Sequence, residues 1–144
     1  MGNFLEGTRE TTAGPGVVWD ILTDVDGWPN TFTPHLSEAH LDGDVEVGAQ
    51  GWVQARLPIP KSGFEVTAVE EGRSWAWRGK VLWLTMDFDH IVEPIEGSRT
   101  RITFDIDLDG PLAGMLRPLF RLQYKPNLEV ALDRLVEVSE QRAG

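Results

Sequence analysis

Residues 74–109 read SWAWRGKVLWLTMDFDHIVEPIEGSRTRITFDIDLD, and the alternation within them decides the fold. Ile102, Phe104, Ile106 and Leu108 fall on one parity, while Arg101, Thr103, Asp105, Asp107 and Asp109 take the other. A period of two is that of a strand with one face in a core and one in water. The stretch 85–93 repeats it, with Met86, Phe88, His90 and Val92 set against Asp87, Asp89 and Glu93. In 74–83, three of the chain's six tryptophans, Trp75, Trp77 and Trp83, share odd positions. These stretches predict three consecutive antiparallel strands with one aromatic inner wall, the parity changing at a turn near Leu84-Thr85 and Glu96-Gly97 marking the next turn.

Working outward, the segments 35–41, 49–57 and 63–70 are also strand-like, broken at Asp42-Gly43-Asp44, Pro58-Ile59-Pro60 and Glu71-Gly72. A first strand is expected from Asn3 to Thr12, followed by a helix in which Val18, Ile21, Leu22 and Val25 recur at helical spacing behind Pro15. Gly27-Trp28-Pro29-Asn30 ends that helix, and Trp28 and Phe32, four apart, mark a second short helical turn. After Gly110-Pro111 the helical period returns through Leu112, Leu116, Leu119, Phe120, Tyr124, Leu128, Ala131, Leu135 and Val138, read as one stripe. Proline removes a helical donor and crowds the preceding turn, so Pro118 and Pro126 predict that the continuous helix begins at about Pro118 or later and runs to Arg142. The sum is an α+β architecture: a seven-stranded curved antiparallel sheet around a long C-terminal helix, with two short helices between strands one and two. A sheet of this size does not close tightly on one helix, which leaves room for an internal cavity.

The 144 residues fit one domain, 1–144, large enough to bury a core. The net charge of −10 opposes nucleic acid and anionic lipid, and Lys and Arg form no dense cluster. No apolar run reaches the roughly 18 residues of a membrane span, so no membrane insertion is expected. With no cysteine and no leader-like start, a cytoplasmic location is expected.

Val18-Trp19-Asp20-Ile21-Leu22-Thr23-Asp24, followed by Trp28-Pro29 and Phe32, resembles the V-W-D-x-x-x-D-x-x-x-W-P-x-x-F signature of the polyketide cyclase/dehydratase group of the START-like (SRPBCC) superfamily. Trp75-Ala76-Trp77-Arg78-Gly79 is similar to its L-x-W-x-G strand, and Glu96-Gly97-Ser98-Arg99-Thr100-Arg101-Ile102-Thr103 to its G-x-T-x-x-T hairpin. The resemblance covers essentially the whole chain and implies the helix-grip fold, a bacterial-type protein and a hydrophobic or lipid-like ligand beneath the long helix. By position it makes Trp28, Phe32, His35, Trp77, Phe88 and His90 cavity-wall residues, with Phe120 and Tyr124 on the covering helix. One departure stands out. Aromatase members carry a serine and an arginine on the strand matching 63–70, which here reads Phe64-Glu65-Val66-Thr67-Ala68-Val69-Glu70.

Trp75, Trp77 and Trp83 offer a surface for a planar ligand, and their plain alternative is core packing. His90 shares parity with Phe88 and turns inward, as a general acid or base, a ligand anchor, or a satisfied core histidine. His35 lies on a strand of ambiguous face, and His40 is expected at the surface. On strand 49–57 either Trp52, Gln54 and Arg56 or Val53, Ala55 and Leu57 face the cavity. An inward Arg56 would suit an enolate or carboxylate. Neither Asp42-Gly43-Asp44-Val45-Glu46 nor the Asp105, Asp107, Asp109 series has calcium-loop spacing, and three scattered histidines give no zinc site. No metal or cofactor is expected.

The leading expectation is therefore a protein that holds a small hydrophobic, aromatic or polyketide-like molecule between sheet and helix, as a monomer or homodimer. Two other functions fit the same residues. One is a cyclase/dehydratase (aromatase) that bends a poly-β-ketone, with His90 moving protons. The other is a protein-interaction regulator with a solid interior and no ligand.

Overall fold

The computed structural model describes residues 5–56, 60–81 and 83–143. Its strands are β1 (Leu5–Thr11), β2 (Leu36–Leu41), β3 (Gln50–Ala55), β4 (Ser62–Glu70), β5 (Ser74–Val81), β6 (Leu84–Ile95) and β7 (Arg99–Asp109). They form one curved antiparallel sheet in the order β1-β7-β6-β5-β4-β3-β2. Helices α1 (Pro15–Thr23) and α2 (Trp28–Thr31), joined by a tight 3-10 turn at Val25–Gly27, lie between β1 and β2, and α3 (Ala113–Ala143) closes the chain. This is the helix-grip arrangement. The expected strand start at Asn3, the strand residues Leu57 and Leu82 and the break at Pro58-Ile59 lie outside the described residues.

Alternation does what it predicts. Leu84, Met86, Phe88, His90 and Val92 on β6 and Ile102, Phe104, Ile106 and Leu108 on β7 are all buried. Their neighbours Asp87, Asp89, Asp105, Asp107 and Asp109 lie on the wet convex face.

Helix α3 buries Leu128, Ala131, Leu132, Leu135 and Ser139, a stripe at helical spacing, and packs chiefly on β1, β7 and α1. Its close approach requires Gly7 on β1, because a Cβ there would stand 2.6 Å from Leu132 Cδ1 and 3.3 Å from Leu128 Cδ2. Polar contacts fix the same half. Thr11 Oγ1 and the Thr12 backbone N–H donate to Glu140 at 2.9 and 3.2 Å, holding its carboxyl below the usual carboxylate range. Arg9 Nε donates to Asp133 at 2.8 Å. At the other end Arg117 Nη2 donates to the Leu108 carbonyl at 2.8 Å.

The prolines do not delimit α3, which starts at Ala113, five residues before Pro118, and contains both Pro118 and Pro126. Each proline leaves the carbonyl four residues earlier without its helical donor. Those residues, Gly114 and Leu122, are exposed along with the prolines, on the side of the helix open to solvent.

Candidate functional site

The inner wall is a ladder of rings running across the sheet. Trp77 on β5 stacks on its cross-strand partner Phe88 on β6 at 5.4 Å between centroids, and Phe88 stacks on His90 at 4.4 Å. His90 in turn stacks on its own partner Trp75 at 4.5 Å. Trp28 of α2 lies 5.6 Å from the imidazole and Phe104 of β7 meets it edge-on at 5.3 Å. Phe32 bridges Trp28 and Phe104 at 5.4 and 6.1 Å. Such pairs each contribute about 0.5–1.5 kcal/mol beyond the area they bury.

His90 is therefore a ring among four rings. A carbonyl can only accept, so Nδ1–H donates to the Trp75 carbonyl at 3.0 Å and Nε2 carries the lone pair. Burial in this apolar cage, only partly opposed by that hydrogen bond, brings the imidazole pKa down to about 3. The ring is neutral at pH 7.

Phe64 on β4 extends the ladder, 5.0 Å from Trp77. It pairs with Gly51 on one side and Gly79 on the other. A Cβ on Gly79 would stand 2.9 Å from both the Gly63 carbonyl and Trp77 Cζ3, and one on Gly51 would stand 2.7 Å from Phe64 Cζ and closer still to the His40 carbonyl. Two glycines thus let the large rings lie flat across neighbouring strands. Phe64 was legible as the inner parity of 63–70, a signal outweighed by the neighbouring tryptophans.

At the other border of the wall the packing loosens. Phe120 and Tyr124 of α3 are half-buried, as are His35, Val53 and Ala55. Tyr124 meets His35 edge-on at 6.3 Å. It lies deep enough for burial to push its phenol up to about 12, yet part of its surface stays open, and its hydroxyl has no hydrogen-bond partner among the described residues. Burial likewise lowers the His35 pKa, and His35 Nδ1 is unpartnered. Trp77 Nε1, Trp75 Nε1 and Thr33 Oγ1 are also buried without partners. Thr33, two residues before His35, carried no sequence signal that set it apart from a loop residue.

The structure brings together most of the expected wall: Trp28, Phe32, Trp75, Trp77, Phe88 and His90 form one cluster, with His35, Phe120 and Tyr124 along its border. Trp83 is a correction. β5 ends at Val81, so Trp83 sits in the turn rather than on the strand; it is 50% exposed and its indole N–H donates to the Pro111 carbonyl at 2.8 Å. On β3 the inner set is Gly51, Val53 and Ala55, since Gly51 faces Phe64 and Val53 faces Ala39. Trp52 and Gln54 point outward, Trp52 beneath Lys61 Nζ at 3.8 Å. Arg56 is exposed and its Nε donates to the Pro34 carbonyl at 2.7 Å. His40 is at the surface as expected, between Asp26 and Asp42 at 3.0 and 2.8 Å, and those carboxylates raise its pKa. Among the described residues no group of His, Asp and Glu has metal-site geometry.

A curved sheet gripping a C-terminal helix, with an aromatic inner wall, defines a START-like (SRPBCC) protein. The chain belongs to the polyketide cyclase/dehydrase and lipid transport family, whose model matches residues 5–140. No curated protein sequence matches it significantly. Among solved structures it is similar to the Zhui aromatase/cyclase from Streptomyces sp. R1128, with 16% identity, a TM-score of 0.75, and coverage of 97% of this chain and 94% of that one. A START superfamily protein from Mycobacterium smegmatis is similar at 14% identity and a TM-score of 0.70, covering 95% and 97%. The di-domain aromatase/cyclase StfQ of the steffimycin pathway matches at 13% identity and a TM-score of 0.75, covering 97% of this chain and 51% of that one. No helix among the described residues is long and apolar enough to cross a membrane.

Proposed function

We propose that the protein binds a small planar apolar molecule, aromatic or polyketide-like, on the inner wall built by Trp77 and Phe88 and bordered by His35, Phe120 and Tyr124. The observation that carries this reading is a pair of buried, unpaired polar atoms in an otherwise apolar wall, Trp77 Nε1 and His35 Nδ1, with the unpartnered Tyr124 hydroxyl on the ring that meets His35. Buried polar atoms are almost always hydrogen-bonded, and each exception has a cost unless a ligand or water supplies the partner. A ligand with a carbonyl or hydroxyl would satisfy them while its rings lie on Trp77 and Phe88. Apolar burial at about 25 cal/mol per Å² would supply most of the affinity, and the polar contacts would fix orientation.

Cyclisation of a poly-β-ketone is the second reading, favoured by the aromatase/cyclases among the structural neighbours. In it the wall contributes by positioning. His90 is a poor proton carrier for that role, because a group with a pKa of about 3 is neither acid nor effective base near pH 7. Neutral Tyr124 and His35 would instead hydrogen-bond the ketone oxygens.

The test is a titration with anilinonaphthalene sulfonate, a fluorescent aromatic probe. Saturable binding of one probe per chain is expected, weakened in Trp77→Leu while the variant keeps its cooperative melt. Equal affinity in a folded Trp77→Leu protein would remove the reading.

A further inference from the structure

Helix α3 is apolar on two opposite faces over its first half. Ala113, Leu116, Phe120 and Tyr124 turn toward the sheet, whereas Leu112, just before the helix, with Met115, Leu119 and Leu122 faces away at spacings of three, four and three residues. These four are 58%, 72%, 60% and 77% exposed, far more than scattered surface leucines require. Trp83 extends the stripe, because its bond to the Pro111 carbonyl sets the half-exposed indole beside Leu112. Along residues 110–128 the charge is of one sign. Residues 110–128 hold Arg117, Arg121 and Lys125 and none of the chain's 23 acidic residues. Arg117 is engaged with β7, but Arg121 and Lys125 are exposed and form no ion pair among the described residues. They border a shallow groove of about 370 Å³ between Pro118 and Pro126, whose far end is Glu129.

We infer that this face docks the protein onto an anionic lipid surface, with Leu112, Met115, Leu119, Leu122 and Trp83 entering the headgroup layer and Arg121 and Lys125 meeting lipid phosphates and carboxylates. The pattern is that of an interfacial amphipathic helix, with leucine tips inward, cations flanking, and a tryptophan at the polar boundary. Charge selects this occupant. A second copy would bring the same excess of cations to the contact, three basic residues and no acid over 110–128, and an uncharged protein groove would leave Arg121 and Lys125 unpaired. The net −10 charge does not forbid it. Carboxylates more than about 8 Å from the surface are screened at physiological ionic strength.

Cosedimentation with vesicles of phosphatidylcholine, alone or mixed with phosphatidylserine, tests the inference. The wild-type chain is expected to pellet with the mixed vesicles and to be released by high salt. Its fluorescence should shift to the blue in wild type but not in Trp83→Phe. Leu119→Ser/Leu122→Ser should abolish pelleting. Arg121→Gln/Lys125→Gln, which leaves every apolar contact intact, should weaken it about 25-fold at roughly fivefold per basic residue. The inference is overturned if wild type stays in the supernatant with mixed vesicles at low salt, or if the serine variant pellets like wild type. It is equally overturned if the chain is a dimer that the serine substitutions dissociate, or if it binds polyglutamate and not the vesicles. None of these readouts involves the inner wall, so failure here leaves the ligand proposal standing.

Discussion

Acidification should destabilise this protein earlier than its carboxylates can account for, and His90 is the reason. The folded imidazole has a pKa of about 3. In the unfolded chain it returns to about 6.5. Below pH 6.5 the unfolded state therefore binds a proton that the folded state refuses, so stability falls as pH falls, by up to about 1.4 kcal/mol per unit. From pH 6.5 to pH 5 the loss is roughly 2 kcal/mol, large against a typical total of about 5–15 kcal/mol. That window lies above the carboxylate range of the unfolded chain. Glu140, whose carboxyl is lowered by its bonds to Thr12 and Thr11, loses its contribution only as pH falls below the unfolded carboxylate range near 4. His40, raised by Asp26 and Asp42, acts above the window, its stabilisation being complete below pH 6.5 and lost as pH rises through its folded pKa. His35, lowered by burial, has the same sign as His90, so the comparison is made against His90→Phe, which keeps a ring in the stack and removes the titration. Urea unfolding across the window should be steeper in pH for wild type than for His90→Phe by that roughly 2 kcal/mol. Proton NMR should place the His40 midpoint above 6.5 and leave the His90 ring unchanged through pH 5. Parallel stability profiles, or a His90 ring titrating near 6.5, would refute the argument.

Three other outcomes follow from the packing and the charges. Gly79→Ala should cost about 1–3 kcal/mol in urea unfolding, because the added methyl meets the Gly63 carbonyl and the Trp77 ring at 2.9 Å; an unchanged midpoint would mean that the rings do not lie across the glycine. Asp89, directly opposite Asp105, has its pKa raised by burial first and by the Asp105 charge second, so Asp89→Asn should raise the urea midpoint at pH 7 and lose that advantage as pH falls through the raised pKa. Tyr124→Phe should leave thermal stability intact, its hydroxyl having no partner to lose, while lowering probe affinity about fivefold; a drop in melting temperature with unchanged affinity would reverse the assignment.

Much of the fold was legible because alternation is a strong signal wherever one sheet face is wet. Asp87, Asp89, Asp105 and Asp107 declare the convex side of β6 and β7, and that alone fixes the inward turn of His90. Parity does not say where a hairpin turns, and two residues of strand length separated the expectation for Trp83 from its position at the surface. Local chemistry likewise misjudged the start of α3. The cost of Pro118 and Pro126 depends on whether water reaches the carbonyls they leave free, which tertiary structure decides. The roles of Gly7, Gly51 and Gly79 were hidden for a related reason: the ring or helix that needs the missing Cβ comes from elsewhere in the chain. The difference between Trp75 and Trp77 was also out of reach, since Trp28 from α2 covers the first and not the second.

The indole N–H signals of the tryptophans test the central claim most directly. Trp19, Trp28 and Trp83 already donate to Glu71, the Leu22 carbonyl and the Pro111 carbonyl, whereas Trp77 Nε1 is buried and unpaired. In a proton–nitrogen NMR titration with anilinonaphthalene sulfonate, the Trp77 indole resonance should move and saturate at one probe per chain while those of Trp19, Trp28 and Trp83 hold still. Movement of Trp83 with a stationary Trp77 would put the probe on the outside of the molecule and contradict the account.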